Sequence, residues 1–515
     1  MQALNAQSPT RQPWSPGTIG VVCILVSLAI PLMWPTLPPL VDLMGHVGRY
    51  HIQLNIDKSP DLQRFFAVDW KLLPNLGVDV LVYALGPLLG VGLATKIVVM
   101  LIPVMTGAGV LAIAREIHGR IPPTAIFALP LVFHYPFQFG FVNFSLGMAL
   151  ALLGFALWLR MGRYEQARLR AVFFLFIAPV IYVCHVSAWG AFGVIIFCAG
   201  LVARLKDGQP WIRGAFYAAL DCMPLSLPAF FMLAWREEGI EGLNQWFHWR
   251  VIIEWLAAVL RSHWKIFDLA SAAALYGFSV APIVFRRILR YDLRLLIPAV
   301  ALAALAVLIP NMISGSYFSG VRLIPFALAL AIIGIETREE ARARTIQWFW
   351  IAGFVFLFLR IAAHTVDYAI ADQRNLRDLQ ALDHVTRGSR IATLVGPRCH
   401  RWEPSRHLHL PELAALRKDA FTNGHWQVPG QQIMTVKYRA GNPIVSDRSQ
   451  FVQVSGCVNG FPTVADRLRS IPLASFDYVW LVEVPSTDWP RDQRLSPLWT
   501  NGSSIIYRIE KPQER

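Results

Sequence analysis

Residues 18–49 read TIGVVCILVSLAIPLMWPTLPPLVDLMGHVGR. The apolar run from Thr18 to Trp34 is long enough to cross a hydrocarbon core of about 30 Å. No small-residue cleavage site follows it. Pro31, Pro35, Pro38 and Pro39 crowd its end instead, so it reads as a retained first membrane helix rather than a removed signal. Beyond the prolines the chain turns polar, with Asp42, His46 and Arg49 at i, i+4 and i+7, one face if this segment is helical.

The rest of the chain has the composition this opening implies. Of 515 residues 55% are hydrophobic and only 16% charged, against roughly a quarter charged in soluble proteins. A net charge of +14 in a soluble chain would suggest a nucleic-acid partner. Here much of the basic excess sits in short connections between apolar stretches, so none is expected. Those stretches fall near residues 18–36, 76–92, 94–114, 122–140, 142–160, 171–189, 190–204, 215–234, 266–285, 295–313, 321–337 and 346–363. Basic clusters lie at Arg115/Arg120, Arg160/Arg163/Arg168/Arg170, Arg204/Lys206/Arg213, Arg286/Arg287/Arg290/Arg294 and Arg338/Arg342/Arg344. The positive-inside rule puts them in the cytoplasm. Counting 76–92 as a crossing would place two of these clusters outside. Pro74–Gly92, interrupted by Asp79, Gly86 and Pro87, is therefore expected to be an interfacial or re-entrant helix on the outer face.

The expectation is a mainly α, polytopic membrane protein of about eleven transmembrane helices, N-terminus inside, with a C-terminal extracytoplasmic α/β domain. Roughly 13% of residues 1–363 are charged and roughly 22% of 364–515, which sets the boundary between membrane body and soluble domain. The first outer loop spans about 37–93. In the tail, Ala371–Thr386 and Glu412–Ala420 read as helical, and Arg390–Val395, Phe476–Val484 and Ser503–Glu510 as strands. Cys399 and Cys457, both in a tail assigned to an oxidising compartment, are expected to form a disulfide.

Soluble-enzyme signatures are absent: no G-x-S-x-G, P-loop, G-x-G-x-x-G, H-E-x-x-H or paired CxxC. Attention moves to polar groups at membrane depth, which usually face a cavity. The outer ends of the spans carry Lys96, His134, Gln138, Asn143, His185, Asn311, Arg322 and Arg360. Lys96, Arg322 and Arg360 suit a phosphate, and equally suit snorkelling to lipid head groups. Asp42 suits a general base at the membrane surface, or a helix N-cap. His46, Arg49, His134 and His185 stand between substrate contact and ordinary packing. Cys399-His400 and His407-Leu408-His409 match no standard zinc spacing. Trp402, Trp426, Trp480 and Trp489 suit sugar stacking or core packing.

The arrangement resembles the GT-C superfamily of integral membrane glycosyltransferases. Asp42 follows the first span in a long outer loop, and Pro74-Asn75-Leu76-Gly77-Val78-Asp79-Val80-Leu81 is similar to the start of that family's juxtamembrane helix. Ala114-Arg115-Glu116-Ile117-His118-Gly119-Arg120 resembles its inner loop after the second span, and Gly320-Val321-Arg322-Leu323 its late outer-loop arginine segment. The resemblance covers residues about 18–363. It implies sugar transfer from a polyprenyl-phosphate donor to an envelope glycan, lipid or protein acceptor at a bacterial inner membrane. In that reading Asp42 is the base and Arg322, helped by Lys96 or Arg360, steadies the leaving phosphate. Many members carry two acids in the first loop, whereas here Asp42 stands alone with His46 after it. A divalent metal therefore stays open as a cofactor. The alternatives are a lipid or glycolipid transporter, for which Asp221 is the candidate midplane acid, and a non-catalytic scaffold for envelope polysaccharide assembly.

Overall fold

The computed structural model describes residues 17–234, 243–313, 316–338, 340–399, 401–425, 432–439 and 448–511. His400 and Trp426 lie outside the described residues. Each apolar stretch of the sequence carries a helix. The first stretch is α1 (Thr18–Ser27) with a short turn at Ile30–Met33, and the polar segment after it is α2 (Leu43–Asn55). Next come α3 (Gly77–Leu89), α4 (Val91–His118), α5 (Val142–Arg163), α6 (Ala167–Cys184), α7 (Val186–Lys206) and α8 (Trp211–Asp221). The body continues with α9 (Trp249–Ala257), α10 (Lys265–Val284), α11 (Leu293–Leu308), α12 (Ile324–Ile333) and α13 (Ala343–Asp378).

Among the described residues six helices are long and apolar enough to cross a membrane, seven if the bent pair Trp211–Asp221 and Met223–Met232 is one span. Their outward faces are apolar: Val172, Phe176 and Val180 on α6, Ile266, Ile283 and Val284 on α10, Trp348, Val355 and Phe358 on α13 are exposed. Such faces are stable only against lipid. The 13 residues of α3 rise about 20 Å, too short for a crossing. The stretch 122–140 forms an eleven-residue 3₁₀ segment, Pro123–Phe133, and a short helix, Tyr135–Phe139. Pro123, Pro130 and Pro136 account for its irregularity, since each removes a backbone donor.

One end of the bundle gathers the basic clusters. Arg163 pairs with Glu116 at 3.0 Å, Lys206 with Asp292 at 3.6 Å and Arg290 with Glu336 at 2.7 Å. Arg294 donates to the Ile117 carbonyl at 3.2 Å. Asp221 belongs to this basic end too, held by Arg204 at 2.7 Å and Arg170 at 3.7 Å. The opposite end meets the tail.

The tail is an α/β unit. Its sheet has the order β6-β7-β5-β2-β3, from β2 (Arg390–Val395), β3 (Phe421–Thr422), β5 (Tyr478–Val482), β6 (Leu495–Thr500) and β7 (Ile505–Ile509). The β3-β2-β5 part is parallel, and β7 and β6 continue it antiparallel. Helices α14 (Leu413–Lys418) and α15 (Val464–Ser470) lie in its connections. A separate antiparallel pair joins β1 (Phe66–Val68) of the first loop to β4 (Met434–Val436) of the tail, Phe66 facing Val436. The membrane body and tail are further joined by α13, whose 36 residues run unbroken from Ala343 to Asp378. The sequence suggested two helical stretches there, but no Gly or Pro separates them.

Candidate active site

Asp42 stands at the N-cap of α2, yet its carboxylate makes no capping hydrogen bond. Its backbone N–H donates to the Phe139 carbonyl at 2.9 Å, and Val41 N–H to the Gln138 carbonyl at 3.2 Å. These bonds clamp the start of α2 to the Tyr135–Phe139 turn. Gly140 ends that turn at φ +100°, and a Cβ there would lie 2.7 Å from the Asp42 nitrogen. Only glycine allows both the conformation and the approach.

Three groups from distant parts of the chain lie within reach of the Asp42 carboxylate. His409 of the tail brings Nε2 to 3.8 Å of Oδ1. Arg322 is within electrostatic reach of it, as is the Tyr135 phenol. His46, one turn on, bonds the Gly140 carbonyl. Burial, then the charges of Arg49 and His409, hold the His46 imidazole well below its ordinary pKa, so the ring is neutral at physiological pH.

Arg322, at the entry to α12, is 6% exposed. Its guanidinium donates to Ser316 Oγ at 3.1 Å and to the Tyr317 carbonyl at 2.6 Å, and lies 3.3 Å from His185 Nε2. It sits over the Phe141 ring at 3.8 Å. Phe141 in turn stacks on Trp255, which contacts Phe318, Phe139 and Tyr135. The arginine and the carboxylate thus share one wall of aromatic rings. His134 is one ring removed: it caps the Tyr135–Phe139 turn through Nδ1, and Phe326 separates it from Phe144 and His185.

The other candidates are engaged elsewhere. Arg49 makes a two-pronged pair with Asp79, both bonds 3.1 Å, and both residues are buried. Gln53 and Asn143 donate to the same carboxylate at 3.0 and 3.1 Å. The pair fastens α3 to α2 and α5. Arg360, fully buried, pairs with Asp268 at 2.6 Å and donates to the Leu260 carbonyl. Lys96 donates to the Met33 carbonyl at 2.8 Å. Arg322, by contrast, is within electrostatic reach of Asp42. Asn311 holds the Gln245 side chain at 2.7 Å, on the loop leading to Ser316.

The tail completes the site. Arg406 donates to the Pro39 carbonyl at 2.6 Å, to Gln138 Oε1 at 3.0 Å and to Asp367 at 2.5 Å. Gln138 continues to His364, His364 to Arg360, and Asp268 to the Trp402 indole at 2.7 Å. Residues 402–409, a run of bends and turns, therefore pack over the rim. In the sequence His407-Leu408-His409 hints at a metal cluster without a standard zinc spacing; in the fold His409 instead approaches Asp42. For a metal the donors do not converge: among the described residues no three His, Cys, Asp or Glu side chains form a metal-binding group. Cys399 and Cys457 are joined as a disulfide in the tail.

No family model matches the chain, and no curated protein matches it. Solved structures do. The arabinofuranosyltransferase AftD from Mycobacteria matches at 14% identity and TM-score 0.40, covering 97% of this chain and 40% of its own. ArnT from Cupriavidus metallidurans in the apo state matches at 10% identity and TM-score 0.46, covering 96% of this chain and 99% of its own. The same protein bound to undecaprenyl phosphate matches at 10% identity and TM-score 0.44, covering 96% and 98%. The chain spans well under half the length of the arabinofuranosyltransferase, and at these TM-scores the likeness says nothing about individual site residues.

Proposed function

We propose that the chain is a membrane glycosyltransferase that moves a sugar from a polyprenyl-phosphate donor to an envelope glycan, lipid or protein acceptor. The observation that carries this reading is that Asp42 and the buried Arg322 lie within electrostatic reach of each other at the end of the bundle away from the basic clusters. By the positive-inside rule that end is extracytoplasmic, with the N-terminus inside and the tail in the periplasm of a bacterial inner membrane.

In the reaction the acceptor hydroxyl attacks the anomeric carbon and its proton passes to the Asp42 carboxylate. The bond from the anomeric carbon to the phosphate oxygen breaks, and its electron pair stays on the phosphate. Arg322, with its planar fork, stabilises that charge in a site with little water. Ser316 Oγ and the Tyr317 carbonyl hold the guanidinium in place. His185 orients the guanidinium. Phe139, Phe141, Trp255 and Phe318 offer an apolar wall to the sugar and the first isoprene units.

The test is release of polyprenyl phosphate by purified protein in lipid, across a broad panel of polyprenyl-phosphate sugars with crude envelope acceptor. Asp42→Asn should lower release by about 10²–10⁴-fold, and Arg322→Ala by a comparable factor with normal folding. Equal release from a well-folded Asp42→Asn variant would sink the assignment.

A further inference from the structure

The crevice outside the carboxyl ends of parallel strands is the habitual ligand position of an α/β sheet, above all where neighbouring strands send their connections to opposite sides. The tail has this geometry at β2 and β5. From β2 the chain leaves toward β3; from β5 it leaves toward β6 and β7. A cleft of about 420 Å³ opens there, within the roughly 300–1,000 Å³ of small-ligand sites.

The cleft is built, not incidental. Gly396, directly after β2, lies so close to β5 that a Cβ would stand 2.5 Å from the Glu483 carbonyl and 2.7 Å from Val454. The Cys399–Cys457 disulfide ties this loop to the Ser455-Gly456 turn, and both cysteines line the cleft. The C-terminal end of α13 supplies the facing wall.

Its lining is strongly polar and rich in arginine: Arg374, Arg377, Arg398 and Arg401. Arg398 is fixed between Glu403 at 2.6 Å and Glu483 at 2.8 Å. Arg374 and Arg401 reach the same Glu403 at 3.2 and 3.7 Å. Arg377 hydrogen-bonds only the Gln373 carbonyl of its own helix among the described residues. Three of the four arginines therefore share two glutamates, and Arg377 pairs with neither. The third acid, Asp378, is raised to about 6 by burial, while Asn501 and Ser504 donate to it. Its carboxylate is already occupied by those two donors, and its neighbours Ser455, Asn501 and Ser503 offer hydroxyl and amide groups of the kind that bind sugar hydroxyls.

We infer that this cleft binds an anionic saccharide unit, a sugar bearing a carboxylate or a phosphate, with Arg377 and Arg401 gripping the charge. Arg374, Arg398 and Glu483 also line a smaller cavity that reaches Arg406 and Asp367. Arg406 bonds the Pro39 carbonyl, close to Asp42. Polar lining thus runs from the cleft toward the candidate active site. On the transferase reading, on which this role rests, the occupant is part of an acidic acceptor glycan.

The experiment is equilibrium binding to the full-length protein in lipid nanodiscs, needing no donor. The probes are a glucuronic acid trisaccharide, its neutral glucose counterpart, glucose 1-phosphate and inorganic phosphate. The carboxylated or the phosphorylated sugar should bind, and which of them does identifies the anion. The neutral trisaccharide should bind at least about tenfold more weakly, as should the acidic probe to Arg377→Ala/Arg401→Ala. Both arginines are exposed, so this variant keeps its fold; Arg377→Glu is the second check. Asp42→Asn should bind like the wild type. Equal affinity for the neutral sugar, unchanged binding in the double variant, or no binding of either anionic sugar overturns the inference. Binding of inorganic phosphate alone also overturns it. Loss of turnover without loss of binding, or the reverse, separates its failure from that of the transferase assignment.

Discussion

Exchanging the Asp42 carboxylate for an amide removes a proton acceptor and almost no volume, so the resulting loss of turnover reads chemistry and not packing. Gly140→Ala is the complementary perturbation. It keeps the carboxylate but drives a methyl group into the Asp42 backbone at a φ that alanine disfavours, and should cost at least about tenfold in turnover together with a lower thermal midpoint, since side chains misplaced by even 1 Å lose rate steeply. A second residue-scale effect is acid sensitivity. Burial, and then the nearby His409, push His425 in the tail down to about 3 from 6.5. The unfolded chain takes up this proton below about pH 6.5 and the folded chain does not, so stability falls as the pH drops, by about 2 kcal/mol by pH 5. His425→Leu should flatten the fall in melting temperature over that window. At this scale the sequence revealed Asp42, Arg322 and His185, because ionisable groups at membrane depth stand out against apolar surroundings. His409 and Tyr135 stayed hidden. Their place beside Asp42 is set by how the tail docks, which no local periodicity encodes.

Among elements, α3 shows how a polar residue can be structural at membrane depth. Asp79 interrupts an apolar run, and in the fold its carboxylate is filled by Arg49, Gln53 and Asn143. Asp79→Ala strands the Arg49 guanidinium in the interior and should cost about 3–5 kcal/mol, seen as a large drop in the detergent melting temperature. Arg49→Leu/Asp79→Leu, which removes both charges, should recover most of it. The apolar stretches were legible as helices because their length and composition have few alternatives in a bilayer. Long-range pairing was not. The β1–β4 pair joins Phe66 to Val436, and neither flank carries a turn signal pointing to the other. The buried stripe of α13, Arg360, His364, Asp367, Ala371, Asn375 and Asp378, does follow a helical period. All its members but Ala371 are polar or charged, so apolar periodicity does not reveal it.

For the whole molecule, the tail is held to the membrane body by groups that have left water. Arg406 bridges Asp367, Gln138 and the Pro39 carbonyl, and Trp402 reaches Asp268. Arg406→Met removes the partner of Asp367 and should loosen residues 402–409 from the rim. Limited proteolysis should then cut between residues 398 and 410 several times faster, with turnover falling alongside. The unbroken α13 adds a constraint of phase. Because it joins bilayer to cleft without a hinge, its two ends are geared together. One alanine inserted between Tyr368 and Ala371 would swing everything beyond it by about 100° and lift it by about 1.5 Å. Seven inserted residues would bring the rotation back to within about 20° but raise the tail by about 10 Å. A domain on a flexible tether would tolerate both insertions; in this protein each should break the grip of residues 402–409 on the rim, one by turning the tail out of phase and the other by carrying it out of reach.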